Sequence, residues 1–359
     1  MTRPLITLCM IVKDEAAHIA DCLRSVQPAV DACIVVDTGS RDRTRSICRR
    51  MGAKVLDFQW TDSFADARNW GVRAARSEWI LWMDADERLE PAEARLLRTL
   101  VEDSTADALN LKVLNYTGVS ADQSDVNQAY QWSQTRLFRN RKGVRFSGRV
   151  HEQPVWPEES MPRLPIPVLP VFLHHYGYLQ EETDRKNKLQ RNLRLLKLQL
   201  ENRQQLLAKG EEPDPSDYWC EYHLASEWYR AGDYEQAFHM VNECIKGFVS
   251  ASILPPALVY KLKYDIMLRH GSIQGAWPGI DRALLLYPDY VDLHFYKGRA
   301  LFERELWVQA EEAFAQCLRL GEDQGKYLSL NGMGSFRAAE YHEQCLRKLG
   351  RLVGQSDTD

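Results

Sequence analysis

The stretch EWILWMDADE, Glu78 to Glu87, sets an apolar run directly against three carboxylates, Asp84, Asp86 and Glu87. Ile80, Leu81, Trp82 and Met83 read as a buried strand. Charge at the end of such a strand costs several kcal/mol unless something compensates it. Residues two apart in a strand project to one side. Asp84 and Asp86 can therefore aim at a single point beyond the strand's end, and that point suits a cation. A hard divalent ion takes carboxylate oxygens and keeps positions free for phosphate oxygens. Two more polar groups fall at expected strand ends, Lys13-Asp14-Glu15 and Asp37-Thr38-Gly39-Ser40. Open α/β sheets bind ligands at that edge.

The elements that would position these groups alternate. LITLCMIV, ACIVVD, AKVLDF and WILWMD read as strands, with helices AAHIADCLRSV, RTRSICRRMG, FADARNWGVRAA and PAEARLLRTLVE between and after them. Gly52 is a C-terminal stop, Asp62 or Ser63 caps the third helix, and Pro91 opens the fourth. This rhythm predicts an α/β domain with a mostly parallel sheet. After Asp103 the segments ALNLKVLNY, QTRLFRN, VRFSGRVHEQ and VLPVFLHHY read as strands without intervening helices. The polar loop Thr117 to Tyr130 has the length of a binding loop or lid.

From about Glu181 the chain reads as all helical. Ala237, Ala276 and Ala310 recur about 39 and about 34 residues apart, near the helix-turn-helix repeat period. Each has an apolar partner four residues on (Val241, Ile280, Phe314) and a small one seven on (Cys244, Ala283, Cys317). Leu224, Ala225 and Trp228 fit the first helix of such a unit. The pattern resembles tetratricopeptide repeats, three of them, closed by a capping helix at SFRAAEYHEQCLRKLG. The expected organisation is a catalytic domain over 1–180, a helical linker over 181–212 and a repeat domain over 213–350.

Composition bounds the rest. The 359 residues are 45% hydrophobic and 27% charged, with a formal net charge of -4, so no basic bias favours nucleic acid or a membrane surface. Eight cysteines occur without a CxxC pair. They read as reduced core thiols, neither a disulfide framework nor a zinc site. The N-terminal apolar run is short for a signal peptide, and no stretch is long enough to span a membrane. A cytoplasmic chain is the expectation.

Four motifs in order, MIVKDEAAHIADCLRSV, IVVDTGSRDRTRSI, FQWTDSFADARNW and ILWMDADE, resemble family 2 glycosyltransferases of the GT-A fold. SGRVHEQ and HHYGY, followed by repeats, are similar to the bacterial branch with peptide S-glycosyltransferases and lipopolysaccharide-core glucosyltransferases. The resemblance covers roughly the first 180 residues closely and the helical part as architecture. It implies a GT-A, Rossmann-like domain and a nucleotide-diphosphate sugar donor, UDP-sugar foremost. It also implies Mn2+ or Mg2+, and hexosyl transfer with inversion to a protein, peptide or saccharide acceptor.

Carried over, the family pattern implies that Asp37, with Glu15 beside it, binds the base or ribose. Asp66, Arg68 and Asn69 line the base and diphosphate. Asp84 and Asp86 hold the metal-diphosphate, with His175 as a third ligand; His151 and His174 are weaker candidates. Glu152 in RVHEQ is the expected general base, with Asp86 and Glu87 as competitors. Tyr176 and Tyr178 line the pocket or pack. Arg41, Arg43 and Arg45 read as a solvated helix face. The repeats would recruit an acceptor or form a homodimer. A tetratricopeptide scaffold with an inactive transferase domain is the alternative, though the intact Asp-x-Asp and FADARN argue against decay. A nucleotidyltransferase is disfavoured because VKDEAAH, not a glycine-rich loop, follows the first strand.

Overall fold

The structure, a computed structural model, describes residues 4–116, 125–140, 143–177, 188–211, 219–323 and 325–351. Tyr178 and residues 117–124 of the predicted loop lie outside them. The chain divides into two compact units, Met1–Asp125 with Ser133–Asp217, and Val126–Trp132 with Tyr218–Asp359.

In the first unit β1 (Ile6–Val12), β2 (Ala32–Asp37), β3 (Lys54–Asp57) and β4 (Trp79–Trp82) lie parallel in the order β3-β2-β1-β4. β1 and β4 are buried almost throughout, as a covered parallel sheet requires. Beyond β4 the sheet is mixed. It continues through β7 (Tyr130–Arg139), β6 (Ala108–Asn115), β10 (Val168–His175) and the short β5 (Glu87–Leu89). β7 runs antiparallel to β4, β10 parallel to β6, and β5 antiparallel to β10.

The helices follow the expected segments: α1 (Ile19–Val26), α2 (Thr44–Arg50), α3 (Phe64–Ala74) and α4 (Pro91–Glu102). Gly52 has φ +81, the left-handed conformation a helix stop needs. Ser63 is the α3 cap, its hydroxyl accepting from Asp66 N. Asp62 instead pairs with Arg194. VRFSGRVHEQ is not one strand. β8 (Arg145–Ser147) and β9 (Gln153–Val155) form a hairpin, and Gly148 (φ +100) and His151 (φ 56) bend the chain between them. Helix α5 (Lys188–Ala208), expected within a linker, belongs to this first unit.

The second unit pairs α6 (Cys220–Arg230) with α7 (Tyr234–Ser250). α8 (Ala257–Arg269) follows, then α9 (Ile280–Leu286) after a short 3-10 turn, then α10 (Val291–Phe302) with α11 (Trp307–Leu320). α12 (Phe336–Lys348) closes the array. Ala237, Val241, Cys244, Ala310, Phe314 and Cys317 are all buried, as their spacing predicts. The middle repeat departs from one continuous helix: Ala276 ends the 3-10 turn and Pro278 separates it from Ile280. This unit also takes in residues 126–132. β11 (Ser329–Leu330) pairs with Tyr130 and Gln131, Asn331 N donates to Ala129 O, and Arg337 donates to Asn127 O.

Candidate functional site

The Asp84–Glu87 segment leaves β4 as a tight turn, with Glu87 N donating to Asp84 O at 3.1 Å. Glu87 then reaches back, its Oε2 accepting from Asp84 N at 2.8 Å. Its carboxylate is fully buried against Arg136 of β7, which donates from Nη2 to Oε1 at 2.5 Å and from Nη1 to Oε2 at 3.1 Å. Burial pushes the Glu87 carboxyl up to about 7, against the opposing pull of Arg136. Glu87 is thus committed to Arg136 and to the Asp84 backbone. Arg136, unnoticed in QTRLFRN, lies flat over Trp82 at 4.0 Å. An arginine directly before the apolar Leu137 and Phe138 was its only signal.

Arg68 joins two of the predicted residues. Its Nη2 donates to Asp84 Oδ1 at 2.6 Å and its Nε to Glu152 Oε1 at 2.5 Å. The guanidinium is buried over Trp82 at 4.6 Å, and its Nη1 has no hydrogen-bond partner among the described residues. Burial disfavours the charge, but Asp84 and Glu152 together raise the pKa of Arg68 above its usual range. Burial raises the Asp84 carboxyl, and Arg68 and Arg136 together more than offset it, leaving a net lowering. Neighbouring Asn69 does not face the same way. Its amide clamps the Phe146 backbone, accepting from Phe146 N at 2.8 Å and donating to Phe146 O at 3.0 Å. That clamp fixes the β8–β9 hairpin that carries Glu152. Asp66 is exposed in the first turn of α3 and accepts from Thr61 Oγ1 at 3.0 Å.

Asp86 meets His175 from the far end of β10. His175 stands opposite Glu87 in the β5–β10 ladder, and Tyr176 N donates to Asp86 O at 3.1 Å. His175 Nε2 faces Asp86 Oδ1 at 3.6 Å, while its Nδ1 donates to Asn115 Oδ1 at 2.8 Å. That second contact leaves Nε2 as the lone-pair nitrogen. Burial pulls the imidazole down to about 4, so it is neutral at pH 7. Gly177 makes room here: a Cβ on it would lie 2.5 Å from His175 Nε2 and 2.7 Å from Asp86 Oδ2. Lys188, at the start of α5, places Nζ 3.4 Å from Asp86 Oδ2. Asn115 and Lys188 carried no motif that sequence reasoning could use, and Gly177 stood in HHYGY without a role assigned to it.

His174, one residue away, points elsewhere, to Tyr116 at 2.9 Å and Glu93 at 3.7 Å, as strand alternation demands. Tyr176 stacks on Tyr116. His151 sits in the bend of the β8–β9 hairpin.

At the ends of β1 and β2 two loops are laced together. Asp14 Oδ1 accepts from Arg41 N at 2.7 Å, Asp14 N donates to Ser40 Oγ, and Glu15 N donates to Thr44 Oγ1. Asp37 is fully buried and accepts from Gly39 N, Ser40 N and Arg45 Nε. Burial opposes its charge, but Ser40 and Arg45 hold its carboxyl below the usual range. Arg45, expected on a solvated face, is therefore a partner of this carboxylate, and it also reaches Asp57 at 3.6 Å.

The family model for Glycosyl transferase family 2 matches residues 7–153. Among curated proteins, a TPR repeat-containing protein of Synechococcus elongatus is 31% identical over 88% of this chain and 72% of its own length. The SPbeta prophage-derived glycosyltransferase SunS of Bacillus subtilis is 33% identical over 58% of this chain, a match that spans about half, 49%, of SunS. The crystal structure of S. aureus TarS 1-349 covers 75% of this chain and 87% of that one, at 13% identity and a TM-score of 0.38. That likeness is too distant to bear on chemistry.

Proposed function

The chain belongs to glycosyl transferase family 2 and is a glycosyltransferase, and from that premise we propose a metal-dependent, inverting transfer from a nucleotide-diphosphate sugar. The carrying observation is the meeting of Asp86 with His175 over Gly177. Two acceptor atoms, Asp86 Oδ1 and His175 Nε2, face each other at 3.6 Å in a cradle that a Cβ would fill. A carboxylate oxygen beside a neutral imidazole suits Mn2+ better than Mg2+, which takes oxygen ligands. Among the described residues no group of three or more His, Cys, Asp or Glu side chains is placed to hold an ion, so the protein would supply two ligands here, Asp86 and His175. An open set of that kind suits an ion that takes its remaining ligands from a diphosphate and water.

Asp86 and His175 would hold the ion, with Asp84 at the same turn. Bound there, it would offset the charge that gathers on the diphosphate as the sugar leaves. The buried Arg68 Nη1, a donor without an acceptor among the described residues, supports a contact to a phosphate oxygen, since an orphaned buried donor is costly. Asp37 and Glu15 would border the base and ribose. Asp66 and Asn69 support the site through the α3 cap turn and the hairpin clamp, while Lys188 adds a second cation beside Asp86.

Glu152 is the proposed base, taking the proton from the acceptor nucleophile on the face opposite the diphosphate. Its link to Arg68 favours a second reading, in which Glu152 orients Arg68 and the proton goes to Asp86.

The acceptor is proposed to be a protein, peptide or saccharide. The second unit carries a groove of about 260 Å³ lined by Trp277, His294, Lys297, Glu312 and Arg319, among others. A groove of this kind supports acceptor recruitment, with homodimer formation as the other role. Among the described residues no helix is long and apolar enough to cross a membrane.

The deciding experiment is a screen of UDP-sugars and other nucleotide sugars with Mn2+ or Mg2+, reading hydrolysis and, by mass spectrometry, any self-modified product. Hydrolysis of one donor supports the reading. The absence of both hydrolysis and binding across all the nucleotide sugars would overturn it.

A further inference from the structure

Between the Asp84–Asp86 turn and β10 lies a buried ion pair that the proposed chemistry does not use. Arg136 and Glu87 form a bidentate pair with side-chain exposures of 4% and 0%. Both side chains are closed off from solvent, and a purely apolar filling would be simpler, since a buried pair seldom adds net stability. The contacts around it suggest another use. Glu87 Oε2 takes the Asp84 backbone N–H, fixing where the first aspartate leaves β4. Glu87 also stands opposite His175 in the β5–β10 ladder, so its backbone fixes the histidine's register. Arg136 reaches Trp82 O at 3.5 Å and stacks on the Trp82 ring, tying the same fork to the last residue of β4. One guanidinium thus braces both segments that supply Asp84, Asp86 and His175.

We propose that Arg136 is a positioning residue: acting through Glu87, it holds the Asp84–Asp86 turn and His175 at the separation that a divalent cation requires. The inference rests on the metal reading above. Lysine cannot reproduce the fork, because its ammonium is a point charge without two parallel donors. Partners that orient metal ligands from behind typically set affinity within a 10–100-fold range.

The test is Mn2+ binding to the full chain, with and without UDP, followed by calorimetry and by the electron paramagnetic resonance of free Mn2+, with circular dichroism to confirm folding. Arg136→Lys is expected to fold and to bind Mn2+ at least ~10-fold more weakly. A folded Arg136→Lys chain that binds Mn2+ as the wild type does overturns the proposal and leaves the metal reading intact. A wild-type chain that binds no Mn2+ in either condition overturns both. Should Arg136→Lys fail to fold, the paired change Arg136→Met with Glu87→Gln removes both buried charges and keeps an acceptor for Asp84 N. That variant is expected to fold with the same loss of Mn2+ affinity, and unchanged affinity in it overturns the proposal.

Discussion

Asp84 and Glu152 share one guanidinium: Arg68 donates to the first at 2.6 Å and to the second at 2.5 Å. A carboxylate at the end of β4 and one in the β8–β9 hairpin are thereby held by neighbouring donors of a single buried cation. The proposed donor side and the proposed base are mechanically linked through it.

Removing that cation strands the buried Glu152 carboxylate, while Asp84 is 37% exposed and reaches solvent. Arg68→Ala is expected to destabilise the first unit by about 3–5 kcal/mol, the usual result of breaking a buried pair from one side. Urea unfolding followed by tryptophan fluorescence measures it. A loss below about 1 kcal/mol, ordinary for an exposed pair, would show that solvent reaches the site.

Glu152→Gln keeps the shape and removes the base. Transfer is expected to fall by about 100-fold or more while UDP binding stays near wild type. If UDP binding collapses together with transfer, Glu152 instead orients Arg68 and the base lies elsewhere.

Asp84→Asn and Asp86→Asn are each expected to lower turnover at least ~100-fold, the loss typical of a leading electrostatic contribution. Excess chelator should abolish wild-type activity, with recovery on adding Mn2+. Full turnover in chelator would contradict the assignment.

Gly177→Ala is expected to lower Mn2+ affinity and turnover together by about 100-fold. The new methyl would sit 2.5 Å from His175 Nε2, and misplacement by about 1 Å at a reacting centre is worth about that much. The measurement is turnover against Mn2+ concentration; a curve superimposable on wild type would place the ion away from this cradle.

In the second unit Asp292 is fully buried, accepting from Ser329 Oγ and from Leu330 N at 3.3 Å, with Lys261 at 4.0 Å. Burial, only partly opposed by Lys261, pushes its carboxyl up to about 7. The unfolded value is about 3.9. The folded state therefore binds more protons between those values, and stability falls as pH rises from about 4 through about 7, by up to about 1.4 kcal/mol per pH unit. Asp292→Asn should flatten this dependence. Urea midpoints at several pH values would show it, and equal slopes in both proteins would refute it.

Much of this molecule was legible in its sequence because the signals were local. Helix α4 spans the very segment PAEARLLRTLVE, since proline opens it and its apolar spacing is regular. The buried Ala237, Val241 and Cys244 follow from helical periodicity alone. The Asp-x-Asp at the end of an apolar strand announced an electrostatic need before any partner was known. The partners themselves were settled only by tertiary structure. Arg136 pairs with Glu87, Arg68 with Glu152, and Asp86 with His175, each across a long stretch of chain. Such pairings depend on strand order and register, which leave no periodic trace in a single sequence. The same holds for Asn69, whose neighbour Arg68 carries charge to the site while Asn69 itself turns to the Phe146 backbone. A short motif names the side chains, but a helix only fixes their directions once it is docked. Sequence stated that charge had to be compensated at the end of β4; packing chose which residues compensate it, because burial makes an unpaired charge too costly to leave to chance.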